Sequence, residues 1–386
     1  MEDEEELPVL TAVSSSARQL YQLLRCINFS EKAHVTINET GLKFSVDDAS
    51  VMEGYAFLDK SLFTTYTFRP PPLPPHDSQH SLDEDGEESN PALPSSPAFQ
   101  ISLPSLLETL QILGLTDPAQ SKPYWARDNP SSTAFSNNVL GMNNMCRISY
   151  MGIGSPLSII LTESTIRTTC NLTTYEPDFA DEIPFDRQSL AFKTIMRGTW
   201  LSDAVSELAS TTPERIALVA KNRGGKPFFA LAASGHLGSA RVEFNNNPKP
   251  THRLPTPATV SQRFSDADTQ STPSNLLETF QLSDPDVPLK CAYKFAFIQK
   301  AVRAMSIATK VSIRADTQGV LSLQFMIEVE PGKLSFVDFR FVPLVEEGEG
   351  EDTYLEDGEV DAGSEGEGEG SEDCGGGVDD EEMIMK

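Results

Sequence analysis

Two long stretches of this chain carry the same order of structural signals, and that repetition limits the fold more than any other feature of the sequence. In the first stretch, Ser14, Ser15 and Ser16 offer helix caps ahead of Leu20, Leu23, Leu24 and Ile27, which recur at i, i+3, i+4 and i+7 and form one apolar stripe. Alternating apolar and polar residues then predict strands at 34–37 and 42–46 around a turn at 38–41, with further strands at 53–58 and 63–68. After an interruption, order returns as a strand at 99–103 and a short helix at 104–113, opened by Pro104 and closed by Gly114. Strands at 147–150, 157–162 and 165–173 end the stretch. From residue 190 the order starts again with a strand at 190–195, a helix at 199–208 and strands at 215–220, 227–233 and 238–244. A polar interruption, a helix at 295–305 and strands at 310–315, 321–329 and 333–342 complete it. Half-buried hairpins look alike in general. It is the shared order of helices and strands that favours a duplication, and with it an α+β fold of two similar domains.

The interruptions have a different composition. Residues 70–97 open with a proline run and continue acidic and Ser-rich, 116–144 break the pattern again, and 245–288 are rich in Pro, Ser, Thr and Asn. Such segments bury too little apolar surface to offset the entropy of ordering them. The net charge of −27 is just as localised, with 18 acidic residues in 346–386, five in 2–6 and six in 77–88, so the remainder is close to neutral. The predicted organisation is an acidic head at 1–7, domain one at 8–175 with insertions at about 70–97 and 116–144, and a connector at 176–184. Domain two follows at 185–345 with an insertion at about 245–288, then an acidic tail at 346–386. A length of 386 residues suits two domains.

Several function classes fall away. Five scattered cysteines show no C-x-x-C spacing and no companion histidines, so they read as reduced thiols, with neither a disulfide framework nor a zinc site. The acidic first residues do not resemble a signal peptide, and no apolar run is long enough to span a bilayer, so a soluble intracellular chain with no membrane partner is expected. No nucleotide-binding glycine loop or Ser/His/Asp arrangement is present, and no cofactor or metal is predicted.

Particular segments carry a more specific signal. Residues 308–327, reading Ala308-Thr-Lys-Val-Ser-Ile-Arg-Ala-Asp-Thr-Gln-Gly-Val-Leu-Ser-Leu-Gln-Phe-Met-Ile, and 332–343, reading Gly332-Lys-Leu-Ser-Phe-Val-Asp-Phe-Arg-Phe-Val-Pro, closely resemble the end of the Rad-one type subunit of the DNA-damage checkpoint clamp. Matching pieces at 41–46, 148–157, 174–177 and 205–208 extend the resemblance over about 8–69, 98–115, 145–244 and 289–345. The resemblance implies the sliding-clamp fold of proliferating cell nuclear antigen, with sheets outside and two helices per domain lining the inner face. It also implies a heterotrimeric nuclear ring formed with two paralogous clamp subunits. A dedicated clamp loader would place that ring on duplex DNA at primer-template junctions, without sequence preference, to dock checkpoint activators and repair enzymes.

The site residues follow from that resemblance. Arg18, Gln22 and Arg25 lie opposite the leucine stripe of the first helix, and Lys300 and Arg303 lie opposite Ile298, Ala301, Val302 and Met305 of the last. Taken alone these are solvated basic faces; in a clamp they are the candidate DNA channel, since a sliding ring needs phosphate contacts without base readout. Lys193 and Arg197 join them as secondary candidates, while Glu108, Asp203 and Glu207 make the channel patchy. By position in the family, an apolar partner groove would involve Val46, Phe179, Ile183, Val337 and Pro343, and ring closure would use edge strands at 164–169 and 238–244. S/T-Q pairs make Ser78, Ser261 and Thr269 candidate phosphorylation sites. Two rivals stand beside the clamp reading. One is a 3'-5' DNA exonuclease built on Asp47, Asp48 and Glu53, although adjacent acids in a turn point apart. The other is an acidic scaffold acting through its tail.

Overall fold

The computed structural model describes residues 7–70, 96–112, 145–163, 166–178, 182–223, 225–245 and 276–345. The first half runs β1 (Leu10–Ser14), α1 (Ala17–Leu24), a 3-10 turn (Arg25–Ile27), β2 (Lys32–Asn38), β3 (Gly41–Asp48), β4 (Met52–Asp59), β5 (Thr65–Phe68), β6 (Ala98–Ser102), α2 (Leu103–Gln111), β7 (Met145–Tyr150), β8 (Leu157–Glu163) and β9 (Ile166–Leu172). The second runs β10 (Leu190–Met196), α3 (Gly198–Ala209), β11 (Pro213–Arg223), β12 (Lys226–Gly235), β13 (Gly238–Asn245), β14 (Thr279–Leu282) and β15 (Leu289–Lys294). It ends with α4 (Phe295–Lys300), α5 (Val302–Ile307), β16 (Lys310–Asp316), β17 (Leu321–Glu330) and β18 (Lys333–Phe341).

Strand pairing repeats element for element. In half one β1 lies between β5 and β7, which continues to β8 and β9, while β2 lies between β6 and β3, which continues to β4. In half two β10 lies between β14 and β16, which continues to β17 and β18, while β11 lies between β15 and β12, which continues to β13. The expected duplication is therefore one of topology as well as of element order. One antiparallel seam, β4 against β18, fuses a sheet from each half into a nine-stranded sheet.

Period-two alternation sets the faces of that sheet. Phe44, Val46, Met52, Ala56, Phe325, Val337, Phe339 and Phe341 point one way and are buried. The helices cover this face: α1 rests on β4 and β17, α5 on β17, and Phe29, just beyond the 3-10 turn, meets Phe339 at 6.2 Å. Gly54 is required there, because a Cβ at that position would fall 2.8 Å from the Phe29 ring. In half two, Phe192 stacks on Phe229 at 5.5 Å and Phe229 on Phe244 at 5.3 Å. Burying each such ring contributes roughly 1.5–3 kcal/mol.

The structure corrects three sequence expectations. The polar insertion ends sooner than 288, because Thr279–Leu282 forms β14 on the edge of the central sheet with Leu277 buried just before it. Strands β1 and β15 lie where none was predicted. The last helix is broken at Ala301 (φ −84°, ψ −4°), whose N–H bonds to the Ile298 carbonyl at 3.1 Å.

Candidate channel and docking faces

On the helix face, apolar stripes turn Leu20, Leu23, Leu24, Leu201, Val205, Leu208 and Ile298 into the core and leave the polar sides outward. Arg25 is exposed and held 5.7 Å over the Tyr21 ring, Arg197 precedes α3 with its guanidinium 5.1 Å over Trp200, and Arg303 is exposed on α5. Arg18 is half-buried on α1. Lys300 is also on this side, but its ammonium pairs with Asp48 and sits over Phe29 and Phe297, so much of its charge is met within the chain. Sequence reasoning missed Lys294, exposed at the N-cap of α4 and 5.3 Å over Phe297. Lys193 needs correction: it is opposite Arg314 in the register, on the face turned away from the helices. Glu108, Asp203 and Glu207 are exposed as expected, on α2 and α3.

The opposite face of the central sheet is polar and anchors the connector. The Glu53 carboxylate accepts the Tyr55 hydroxyl and the Ile183 N–H (2.7 Å), while Arg340 donates to the Ile183 carbonyl (2.6 Å) and lies 3.6 Å from Glu182. Lys43 bonds Glu182 at 2.6 Å and lies over the Tyr55 ring. Burial works against the Glu182 carboxylate, yet the Lys43 hydrogen bond and the charges of Lys43 and Arg340 outweigh it and hold its pKa below the usual value. Next in the sheet, burial pushes the Asp338 carboxyl up against the pull of Arg314, Arg187 and Arg340, and burial lowers Arg314. The Arg314 guanidinium also faces the Phe185 ring at 5.6 Å.

This outer face revises the groove assignment. Val46 and Val337 are 3% and 0% exposed and belong to the helix-side core, so strand parity denies them to any partner. Ile183 is buried as the connector's staple, and Pro343 is half-buried near the Gly319 turn. Phe179, Ser78, Ser261 and Thr269 lie outside the described residues. The apolar groups that do reach the surface here include Phe57, Met326, Leu334 and Phe336. Met326 pairs with Phe336, and the β4–β18 register brings Phe57 alongside. Phe336 is 45% exposed, an unusual position for a ring on the middle of a sheet. Sequence reasoning missed them, although odd-even alternation along β4 and β18 is the signal that could have found them.

A family model described as repair protein Rad1/Rec1/Rad17 matches residues 9–327. The chain belongs to this family. Its fold is the sliding-clamp fold of the Rad1 family, with two similar halves, each with sheets outside and helices inside. Among similar proteins, "DNA damage checkpoint control protein rad1" of Schizosaccharomyces pombe is 28% identical over 331 residues, 85% of this chain and 84% of that protein. "Cell cycle checkpoint protein RAD1" of Homo sapiens is 26% identical over 343 residues, 89% of this chain and 94% of that protein. "DNA repair exonuclease REC1" of Mycosarcoma maydis is 25% identical over 192 residues, 47% of this chain and 39% of that protein.

Two further features of this Rad1-family chain bear on function. Strands β9 and β13 end their sheets with one side unpaired among the described residues, and they correspond by topology to β18 and β4, the strands of the internal seam. The predicted edges at 164–169 and 238–244 fall on them, although residues 164 and 165 are not described. The acids considered for a nuclease do not converge. Asp47 opposes Glu53 on the outer face, Asp48 pairs with Lys300 on the helix side, and Glu53 is committed to Tyr55, Ile183 and Arg340.

Proposed function

We propose that this chain is one subunit of a heterotrimeric DNA-damage checkpoint ring, acting in the nucleus by encircling DNA and docking other proteins. The observation that carries the reading is the pair of open edges, β9 and β13, each the topological counterpart of a strand already joined at β4–β18. A neighbour repeating that seam at both ends closes a ring from modules of one design. Co-expression with two paralogous clamp subunits, followed by sizing and particle imaging, should give a closed ring. A chain that stays monomeric beside them overturns the reading.

In that ring the helix face meets DNA through Arg18, Arg25, Arg197, Lys294 and Arg303, and a dedicated loader places it at primer-template junctions. Arg25→Glu with Arg303→Glu should leave assembly intact, weaken retention on DNA and lower the slope of log affinity against log salt by about two. Unchanged retention removes the channel assignment. The exposed ring of Phe336, with Phe57 and Met326, forms the docking face for checkpoint and repair factors in place of the valines first considered.

The exonuclease reading draws on a relative's name, and the diverging carboxylates oppose it, because two-metal cleavage needs acids gathered around ions about 4 Å apart. Degradation of labelled primer ends by the purified chain with Mg²⁺, lost on Asp47→Ala with Asp48→Ala, would reinstate it. A scaffold acting through its tail predicts that deleting 346–386 abolishes function; the ring reading predicts that assembly and DNA retention survive.

A further inference from the structure

The outer face of the central sheet carries an imbalance of charge beside its apolar patch. Read across the strands, one row holds Lys193, Arg314, Ser322, Arg340 and Glu53 in register. The next holds Ser312, Gln324, Asp338 and Tyr55, and the third holds Lys310, Met326 and Phe336, with Phe57 beyond. The carboxylates near this face are mostly committed: Glu53 to Ile183 and Tyr55, Glu182 to Lys43, and Asp186 to the Gln188 N–H at 2.8 Å. Arg340 is tied to the Ile183 carbonyl. Asp47 and Glu328 share the face but lie at its far ends, so Asp338 is the carboxylate that faces Arg314 and the exposed Arg187, with Lys193 extending the positive charge onto β10. The cluster is also not saturated, since Arg314 Nε and Asp338 Oδ1 have no hydrogen-bond partner among the described residues.

We propose that this face takes an extended peptide pairing a large apolar side chain, seated on Phe57, Met326 and Phe336, with an acidic or phosphorylated residue about four to six positions away, seated on Arg187, Arg314 and Lys193. The spacing follows from strand geometry. Arg314 shares a row with Arg340, four residues from Phe336 along the strand direction, about 14 Å, and lies two strands across from β18, about 10 Å, so about 17 Å separates the two seats. Charge complementarity selects the occupant: a basic peptide would meet three cations set against the one carboxylate of Asp338, and an uncharged one would leave that excess unanswered. The proposal rests on the reading of this face as a docking surface and adds the chemistry of what docks.

The test is selection of random short peptides displayed on phage against the full chain, alongside Phe336→Ser and the pair Arg187→Glu with Lys193→Glu. The wild type should enrich an apolar residue with Asp or Glu in the spacing above. A labelled peptide from that pool should bind the doubly charge-reversed variant at least about tenfold more weakly at low salt, with a smaller difference at high salt. Phosphoserine in place of the acid should tighten it. Enrichment of the apolar residue without an acidic companion, or indifference to charge reversal, overturns this inference while leaving the docking face in place. Peptides that bind Phe336→Ser as well as wild type, or no enrichment at all, overturn the docking reading itself.

Discussion

At the scale of single residues, the turn between β3 and β4 holds Ala49 and Ser50 at φ 54° and 55°, with the Val51 N–H bonded to the Asp48 carbonyl at 3.1 Å. Neither residue suits left-handed backbone, so Ala49→Asn with Ser50→Gly should raise stability by about 1 to 2 kcal/mol in a denaturant titration. The anchor under the connector works in the other direction. Glu53→Gln loses the charged acceptor for Ile183 and Tyr55 and should cost about 1 to 3 kcal/mol, with faster amide hydrogen exchange at Ile183. Because Glu182 is held below the ordinary carboxylate range, its contribution is complete above that range and is lost as pH falls through the lower folded value. Amide exchange at Glu182 and Ile183, corrected for the intrinsic rate, should therefore accelerate on acidification, and Lys43→Met should weaken that pH dependence, with Arg340 still facing the carboxylate. Helical spacing alone put Arg18, Arg25 and Arg303 on the side away from the apolar stripe, because the period assigns a face directly. Sequence reasoning misplaced Lys193, Val46 and Val337, because a strand residue's face depends on which side the helices cover, and nothing local states that.

At the scale of elements, helices and long hairpins were legible from their periodicity, whereas β14, four residues set in a polar run, was not. Phe280 in that strand packs edge-on against Phe192 at 5.6 Å, a contact visible only once the chain has folded. The open edge β9 offers a direct test. It pairs with β8 on one side, so successive amides alternate between inward and outward. Proline placed separately at Thr168 and Thr169 should then give two different results. One variant loosens its own sheet in a thermal melt, and the other melts normally yet fails to join a neighbouring subunit by sizing. Normal assembly by both would show that β9 is not a seam.

At the scale of the whole molecule, the two halves share one continuous core as well as the β4–β18 seam. Residues 7–345 should accordingly unfold in a single transition, with protection lost in both halves at the same denaturant concentration by hydrogen exchange. Phe339→Ala, at the junction, should cost about 3 to 5 kcal/mol and lower the midpoint for both halves together. The duplication was readable in the sequence because order survives divergence; the seam was not, since strand pairing across more than two hundred residues leaves no local mark. That seam has a mechanical consequence. Where a covalent connector and a shared core hold two modules, thermal opening must break both, whereas a contact between separate chains gives way at the strand edges alone. A closed circle of such chains would therefore part first at β9 or β13, and whatever pries it open to admit a DNA strand has its purchase there.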